Sequence, residues 1–161
     1  MCDIIYDYID YDICDFFISK LEYYKSRPKT EFCHIVRSMK GGYFGTVNLL
    51  PSADTEYYSY LDVIKKKVEE VSSQPLNYHY LHMLDYEGGG EMLMHNHAHA
   101  EHYTSLLYLN DCEDGATFLI MDGEREEVQP QKGKLLMYPA NIDHGANYSS
   151  SKKVMVSGYR I

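Results

Sequence analysis

Between residues 12 and 25, Ile13, Phe16, Phe17, Leu21 and Tyr24 recur at spacings of three and four. That is the apolar stripe of an amphipathic helix, and it predicts a helix that ends before Pro28. A second stripe follows from about Thr55 to Val71, where Tyr57, Leu61, Ile64, Val68 and Val71 keep helical spacing. Lys65, Lys66, Glu69 and Glu70 decorate its other side as a solvated face. After Ser72-Ser73-Gln74-Pro75 the texture changes to short extended runs at 77–86, 91–99, 103–109, 116–121, 125–129, 134–138 and 153–160. Gly88-Gly89-Gly90, the stretch 111–115, Asp122-Gly123, the stretch 130–133 and Ser149-Ser150-Ser151 supply turns between them. Many short strands at this spacing predict a sandwich or barrel. The expected architecture is therefore mainly β with amino-terminal helices.

The chain has 161 residues, of which 45% are hydrophobic, the size of a single domain with a real core. Within it, residues 1–75 read as a helical support region and 76–161 as the β core. A formal charge of −9 runs against the basic footprint that nucleic-acid binding requires. Cys2, Cys14, Cys33 and Cys112 show no C-x-x-C spacing, a pattern that suits free thiols and a cytoplasmic address better than a disulfide framework. No run approaches the roughly 18 apolar residues of a membrane span. Seventeen tyrosines and no tryptophan make tyrosine the main bulky aromatic filler, able to pack and to offer a hydroxyl to a polar cavity. Nothing in the sequence speaks to oligomeric state.

Half of the chain's eight histidines fall in His95-Asn96-His97-Ala98-His99-Ala100-Glu101-His102. Neutral imidazole is the commonest side-chain ligand for transition metals, so a metal site is the first functional expectation. On a strand running from Glu91 to His99, positions 91, 93, 95, 97 and 99 would share one face. Alternate residues advance about 6.6 Å along a strand, too far for three successive ones to reach one ion. Two adjacent histidines plus a distant third group is the expected set, and His144, after the apolar run 134–138 and Pro139, is the candidate third. His79 and His82 read as ordinary strand residues, and His34 has no partner in sequence.

The order Tyr86-Glu87-Gly88-Gly89-Gly90, His95-x-His97, Tyr108-Leu109-Asn110, Gly115-Ala116-Thr117-Phe118, Pro130-x-x-Gly133-x-Leu135, Pro139 and His144 resembles the iron(II)/2-oxoglutarate oxygenases of the prolyl 4-hydroxylase type. The resemblance covers residues 76–161. It implies a double-stranded β-helix, or jelly-roll barrel, that binds Fe(2+) and takes 2-oxoglutarate as cosubstrate. It also implies hydroxylation by dioxygen of a peptidyl substrate, prolyl among others, or of a small molecule, with release of succinate and CO2. By position, His95, His97 and His144 would be the metal ligands. The family's middle ligand is usually the carboxylate of H-x-D or H-x-E, whereas this chain has His97, and Glu101 is the alternative that would restore a carboxylate.

The resemblance further implies a cation for the distal carboxylate of 2-oxoglutarate, about nine residues after the last His. Lys153 occupies that place, and Lys152, of opposite strand parity, is expected to face outward. Tyr108 matches a family tyrosine that binds the same carboxylate, and Tyr86 is a weaker analogue. Arg160 is an alternative anchor or substrate contact. A second resemblance is to cupins, carried by Gly89, His95-x-His97, Glu101, Gly133, Pro139 and His144. It implies three His and one Glu on the metal, in a dioxygenase, an isomerase or a non-catalytic sugar binder; a non-catalytic metal-binding jelly-roll protein is a third reading, suggested by the missing middle carboxylate.

Overall fold

The computed structural model describes residues 3–28, 31, 33 and 38–161; Cys2 and His34 lie outside them. In chain order the elements are β1 (Ile5–Tyr8), α1 (Tyr11–Ser26), β2 (Met39–Gly41), β3 (Phe44–Gly45), α2 (Thr55–Ser72), β4 (Asn77–Asp85), β5 (Gly90–His95), β6 (Tyr103–Tyr108), β7 (Thr117–Met121), β8 (Glu124–Val128), β9 (Lys134–Pro139), β10 (His144–Ser149) and β11 (Lys153–Arg160). The strands form two antiparallel sheets, one in the order β1-β9-β6-β11-β4-β3 and the other β2-β5-β10-β7-β8.

Both predicted helices form, and their ends have local causes. Arg27, just before Pro28, is extended, as the proline ring requires of its predecessor, and this stops α1. The Asp54 side chain accepts from the Tyr57 N–H at the start of α2, and Ser73 closes the helix in the left-handed conformation. Ile13, Phe17, Leu21 and Tyr24 of α1 are buried with Tyr57, Leu61, Ile64 and Val68 of α2. They pack on Leu81, Met83, Leu107, Leu135, Met137, Met155 and Tyr159, which share one face of the six-stranded sheet.

The other face of that sheet carries the residues of opposite parity. Leu84, Leu106, Tyr108, Leu136, Tyr138 and Val154 meet Leu119, Ala146 and Met39 of the second sheet. One face thus holds the helices and the other encloses the space between the sheets. The stretch read as helical support also contributes strands: β1 pairs with β9, β2 with β5 and β3 with β4.

β5 departs from the expected strand in two ways. It stops at His95 rather than reaching His99, and it does not alternate regularly. His144 pairs with His95 and Ala146 with Met92, so a two-residue step along β10 spans a three-residue step along β5. This bulge turns Met92 and His95 to the same side, toward the cavity, and leaves Glu91 and Leu93 outside. The expectation that 91, 93, 95, 97 and 99 share a face is therefore corrected, because a bulge is set by the partner strand and not by the strand's own sequence.

Candidate metal centre

His95, His97 and His144 converge, with one ring nitrogen from each lying within 4.8 Å of the others. His95 ends β5 and His144 opens β10, directly opposite it in register. His97 follows β5 in irregular backbone whose N–H donates to the Ala140 carbonyl at 2.8 Å. Asn96 steadies this passage by donating to Asp143 at 2.8 Å and accepting from the Ala98 N–H at 3.2 Å. The chain then turns, with the Ala100 and Glu101 N–H groups both donating to the His97 carbonyl. That turn takes His99 to the cavity rim, away from the three-histidine cluster.

Each imidazole is oriented through its outer nitrogen. His95 Nδ1 donates to the Leu93 carbonyl at 2.8 Å, and His144 Nδ1 to the Ile142 carbonyl at 2.9 Å. His97 Nδ1 donates to Glu101 Oε1 at 2.5 Å. Acceptors at all three Nδ1 atoms place the protons there and leave each Nε2 with a bare lone pair, the form a metal binds. The His95 and His97 Nε2 atoms are 3.0 Å apart. With both protons elsewhere they cannot bond each other, and a cation between them is what resolves two facing lone pairs. An ion at about 2.1 Å from both nitrogens would see them at roughly 90°, the cis angle of an octahedral site. Burial pushes the pKa of His144 down to about 3, with His95 adding to the effect, and burial also lowers that of His95. Both rings are thus held neutral and ready to ligate. The residues present fit a divalent transition metal.

Glu101 does not join the cluster. It folds back, as one alternative allowed, but reaches the outer nitrogen of His97 and not the space between the histidines. A cupin-type set of three His and one Glu is not assembled here.

The histidines line a cavity of about 500 Å³ between the sheets, within the range of small-molecule sites. Its cation is Lys152, and the expectation for Lys153 is corrected. Lys153 Nζ turns to the helix side of the sheet and pairs with Asp85 at 2.6 Å, beside Lys25 at 2.8 Å from the same oxygen. Burial opposes ionisation of Asp85, but the hydrogen bonds from Lys153 and Lys25 prevail and hold its pKa below the usual value. The two lysines do have opposite parity, as expected. The face assignment was inverted, since Lys152 aligns with Val154 and Val156, which line the cavity, and Lys153 with Met155, which packs under the helices.

Lys152 is 1% exposed. Its Nζ donates to the Gly115 carbonyl at 2.7 Å and lies 4.2 Å from the centre of the Tyr86 ring. An ammonium has three donors, and one is used. Burial draws its pKa down to about 7 against the weaker pull of Cys112 and Asp114. Among the described residues the other two donors have no hydrogen-bond partner and no carboxylate pairs with the ammonium, which leaves it able to receive an anion.

Tyr86 lines the cavity. Tyr108 is buried behind the wall, its hydroxyl near Thr117 Oγ1 at 2.5 Å and the Val128 carbonyl at 3.2 Å, and Thr117 is the residue that reaches the cavity. Arg160 is exposed and donates to the Ala100 carbonyl. Sequence reading missed Tyr138, whose ring meets His144 edge-on at 5.1 Å and whose buried hydroxyl has no partner among the described residues. It also set aside His79 and His82, which both line the cavity. The signal for Tyr138 was its place six residues before His144 on an apolar strand of matching parity.

Comparison with known proteins yields no matching family model and no matching curated protein. Solved structures do match. A prolyl-4-hydroxylase from Pseudomonas putida superposes with a TM-score of 0.73 at 14% identity, covering 98% of this chain and 92% of that one. The non-heme alpha-ketoglutarate-dependent epimerase SnoN of nogalamycin biosynthesis gives 0.78 at 16% identity, covering 97% and 76%. HygX from Streptomyces hygroscopicus, solved with nickel and 2-oxoglutarate bound, gives 0.73 at 13% identity, covering 98% and 82%. The chain has the fold of these enzymes.

Proposed function

We propose that this protein is an iron(II)- and 2-oxoglutarate-dependent oxygenase built on a jelly-roll barrel. The observation that carries the reading is the pairing, in one cavity, of three convergent Nε2 lone pairs with one buried, under-bonded ammonium. Metal and dicarboxylate are the two ligands that such a cavity accommodates together. The likeness to the nickel- and 2-oxoglutarate-bound HygX supports it.

In this reading His95, His97 and His144 would hold the metal, and the metal would also take the cosubstrate and dioxygen. When bound, iron(II) and 2-oxoglutarate supply dioxygen activation, the keto acid leaving as succinate and carbon dioxide while one oxygen atom enters a substrate C–H bond. Lys152 neutralises the distal carboxylate with its two free donors, and the Tyr86 ring keeps that ammonium in place. Tyr138 offers a hydroxyl to the bound acid or the substrate. Leu84, Leu106, Val154 and Val156 make the wall apolar and limit water at the reacting centre. No general base is needed. The substrate is a peptidyl residue, prolyl among others, or a small molecule; the neighbours' names span both kinds.

Anaerobic addition of 2-oxoglutarate to the Fe(II)-loaded protein is expected to produce the visible metal-to-ligand charge-transfer band of a chelated keto acid. Absence of that band together with no 2-oxoglutarate-dependent thermal shift would sink the reading.

A further inference from the structure

We propose that Glu101 supplies the carboxylate of this metal centre from one imidazole away, as a positioning residue that acts through His97. The proposal rests on the metal-site reading above and concerns what this chain does in place of an H-x-D or H-x-E ligand.

Glu101 is 5% exposed, and the basic side chain that reaches it among the described residues is His97 alone. One carboxylate oxygen accepts from His97 Nδ1, and the other is buried with no hydrogen-bond partner among the described residues. Among the described residues no lysine or arginine pairs with it. A carboxylate in that position is costly unless a positive charge lies close by. The nearest place for one is the far side of the His97 ring, where Nε2 faces His95 and His144. The hydrogen bond fixes the His97 tautomer and makes its Nε2 a stronger donor to a metal.

The surrounding structure is shaped to hold this arrangement. The His97–Glu101 turn brings the two side chains together. Arg160 Nε donates to the Ala100 carbonyl at 2.7 Å, and the His102 N–H to the Tyr159 carbonyl at 2.8 Å, so the far end of the turn is tied to β11. The Tyr80 hydroxyl, 3.0 Å from His97 Nδ1, approaches the same pair. Gly158 on β11 makes room for it, since a Cβ there would overlap both Glu101 Oε2 and the Tyr80 ring. Glycine otherwise weakens a strand interior, and a close approach of this kind is a reason for one.

The test is metal affinity without turnover, by titrating the metal-free protein with Co(II) against a chromophoric chelator. Glu101→Ala is expected to weaken Co(II) binding about 10- to 100-fold, the usual cost of losing an outer carboxylate. Glu101→Gln, which keeps an accepting oxygen and the shape but not the charge, should fall between it and the unaltered protein. Gly158→Ala should weaken binding with Glu101 still present, and His144→Ala should abolish it. If Glu101→Gln and Glu101→Ala bind Co(II) as tightly as the unaltered protein while His144→Ala does not bind, the metal site stands and the role of Glu101 is refuted. If Glu101→Ala abolishes binding while His97→Ala retains it, Glu101 is a direct ligand and the proposal is overturned. If His144→Ala binds normally, the metal-site reading fails and the proposal with it. Urea midpoints of the metal-free variants separate misfolding from loss of affinity, and the isosteric glutamine keeps the test decisive if alanine does not fold.

Discussion

Lys152 should make the ligand-free protein less stable than it would be with an apolar side chain in its place. Its pKa in the fold is about 7 against an ordinary 10.5. At 1.36 kcal/mol per unit, that difference means holding the ammonium charged costs about 5 kcal/mol. The folded value lies below the unfolded one, so between pH 7 and about 10.4 the unfolded chain binds more protons and stability rises with pH. Below pH 7 the full penalty applies. Lys152→Met relieves it while losing the bond to the Gly115 carbonyl, worth about 1 kcal/mol, and the contact with the Tyr86 ring, worth about 1–2 kcal/mol. The expected net gain near pH 6.5 is about 2 kcal/mol, or roughly 4–8 °C in Tm for a chain of this size. It should shrink as the pH approaches 10. The same change should lower 2-oxoglutarate affinity by about 100-fold or more, since it removes the charge partner of a buried carboxylate. Urea denaturation at pH 6.5 and 9.5 and a 2-oxoglutarate thermal shift with Co(II) present read both effects. A Lys152→Met protein that is less stable at pH 6.5 and still shifts with 2-oxoglutarate would refute the reasoning.

Asp85→Asn should cost about 1–3 kcal/mol at pH 7, because Lys153 and Lys25 then lose their shared carboxylate. Asp85 has a lowered pKa, so its contribution is present above the unfolded value near 3.9 and is lost as the pH falls through the folded one; acid-limb denaturation of the two proteins should converge there. Lys153→Met should leave 2-oxoglutarate binding within about twofold by calorimetry, as Lys153 faces the helices. Tyr138→Phe removes a buried hydroxyl that has no partner among the described residues; unfolding of the ligand-free protein should show equal or greater stability, by up to about 1 kcal/mol, with weaker 2-oxoglutarate or substrate binding. Leu61→Ala, at a 1% exposed position between α2 and the sheet, should cost about 2–5 kcal/mol by urea denaturation and leave Co(II) affinity unchanged.

Both helices could be read within one or two residues because each stripe is a local property of its own segment, fixed by the 3.6-residue turn. The strands from 77 onward were legible for the same reason, as apolar runs between turn residues. β10, with His144-Gly145-Ala146-Asn147-Tyr148-Ser149, went unread because it has no β-branched or alternating signature. It is a strand because β5 and β7 pair with it on both sides. β1, β2 and β3 are too short to carry a pattern, and they exist through their partners as well. Residue type and spacing pointed to two adjacent histidines of the cluster with His144, the resemblance selected His95 and His97, and the structure brings these three together.

What the sequence by itself determined was the inventory: two amphipathic helices, a run of short strands, a histidine cluster with a distant partner, and two adjacent lysines of opposite parity. Only the tertiary structure decided the signs. Parity says that Lys152 and Lys153 point apart, but which one enters the cavity depends on which sheet face carries the helices. The bulge opposite β10 turns His95 inward against the alternation of its own strand. The turn after β5, tied to β11 and admitted by Gly158, sends Glu101 behind His97 instead of beside it. Each of these is a relation between segments distant in the chain, and local periodicity records which residues alternate without recording what lies across from them.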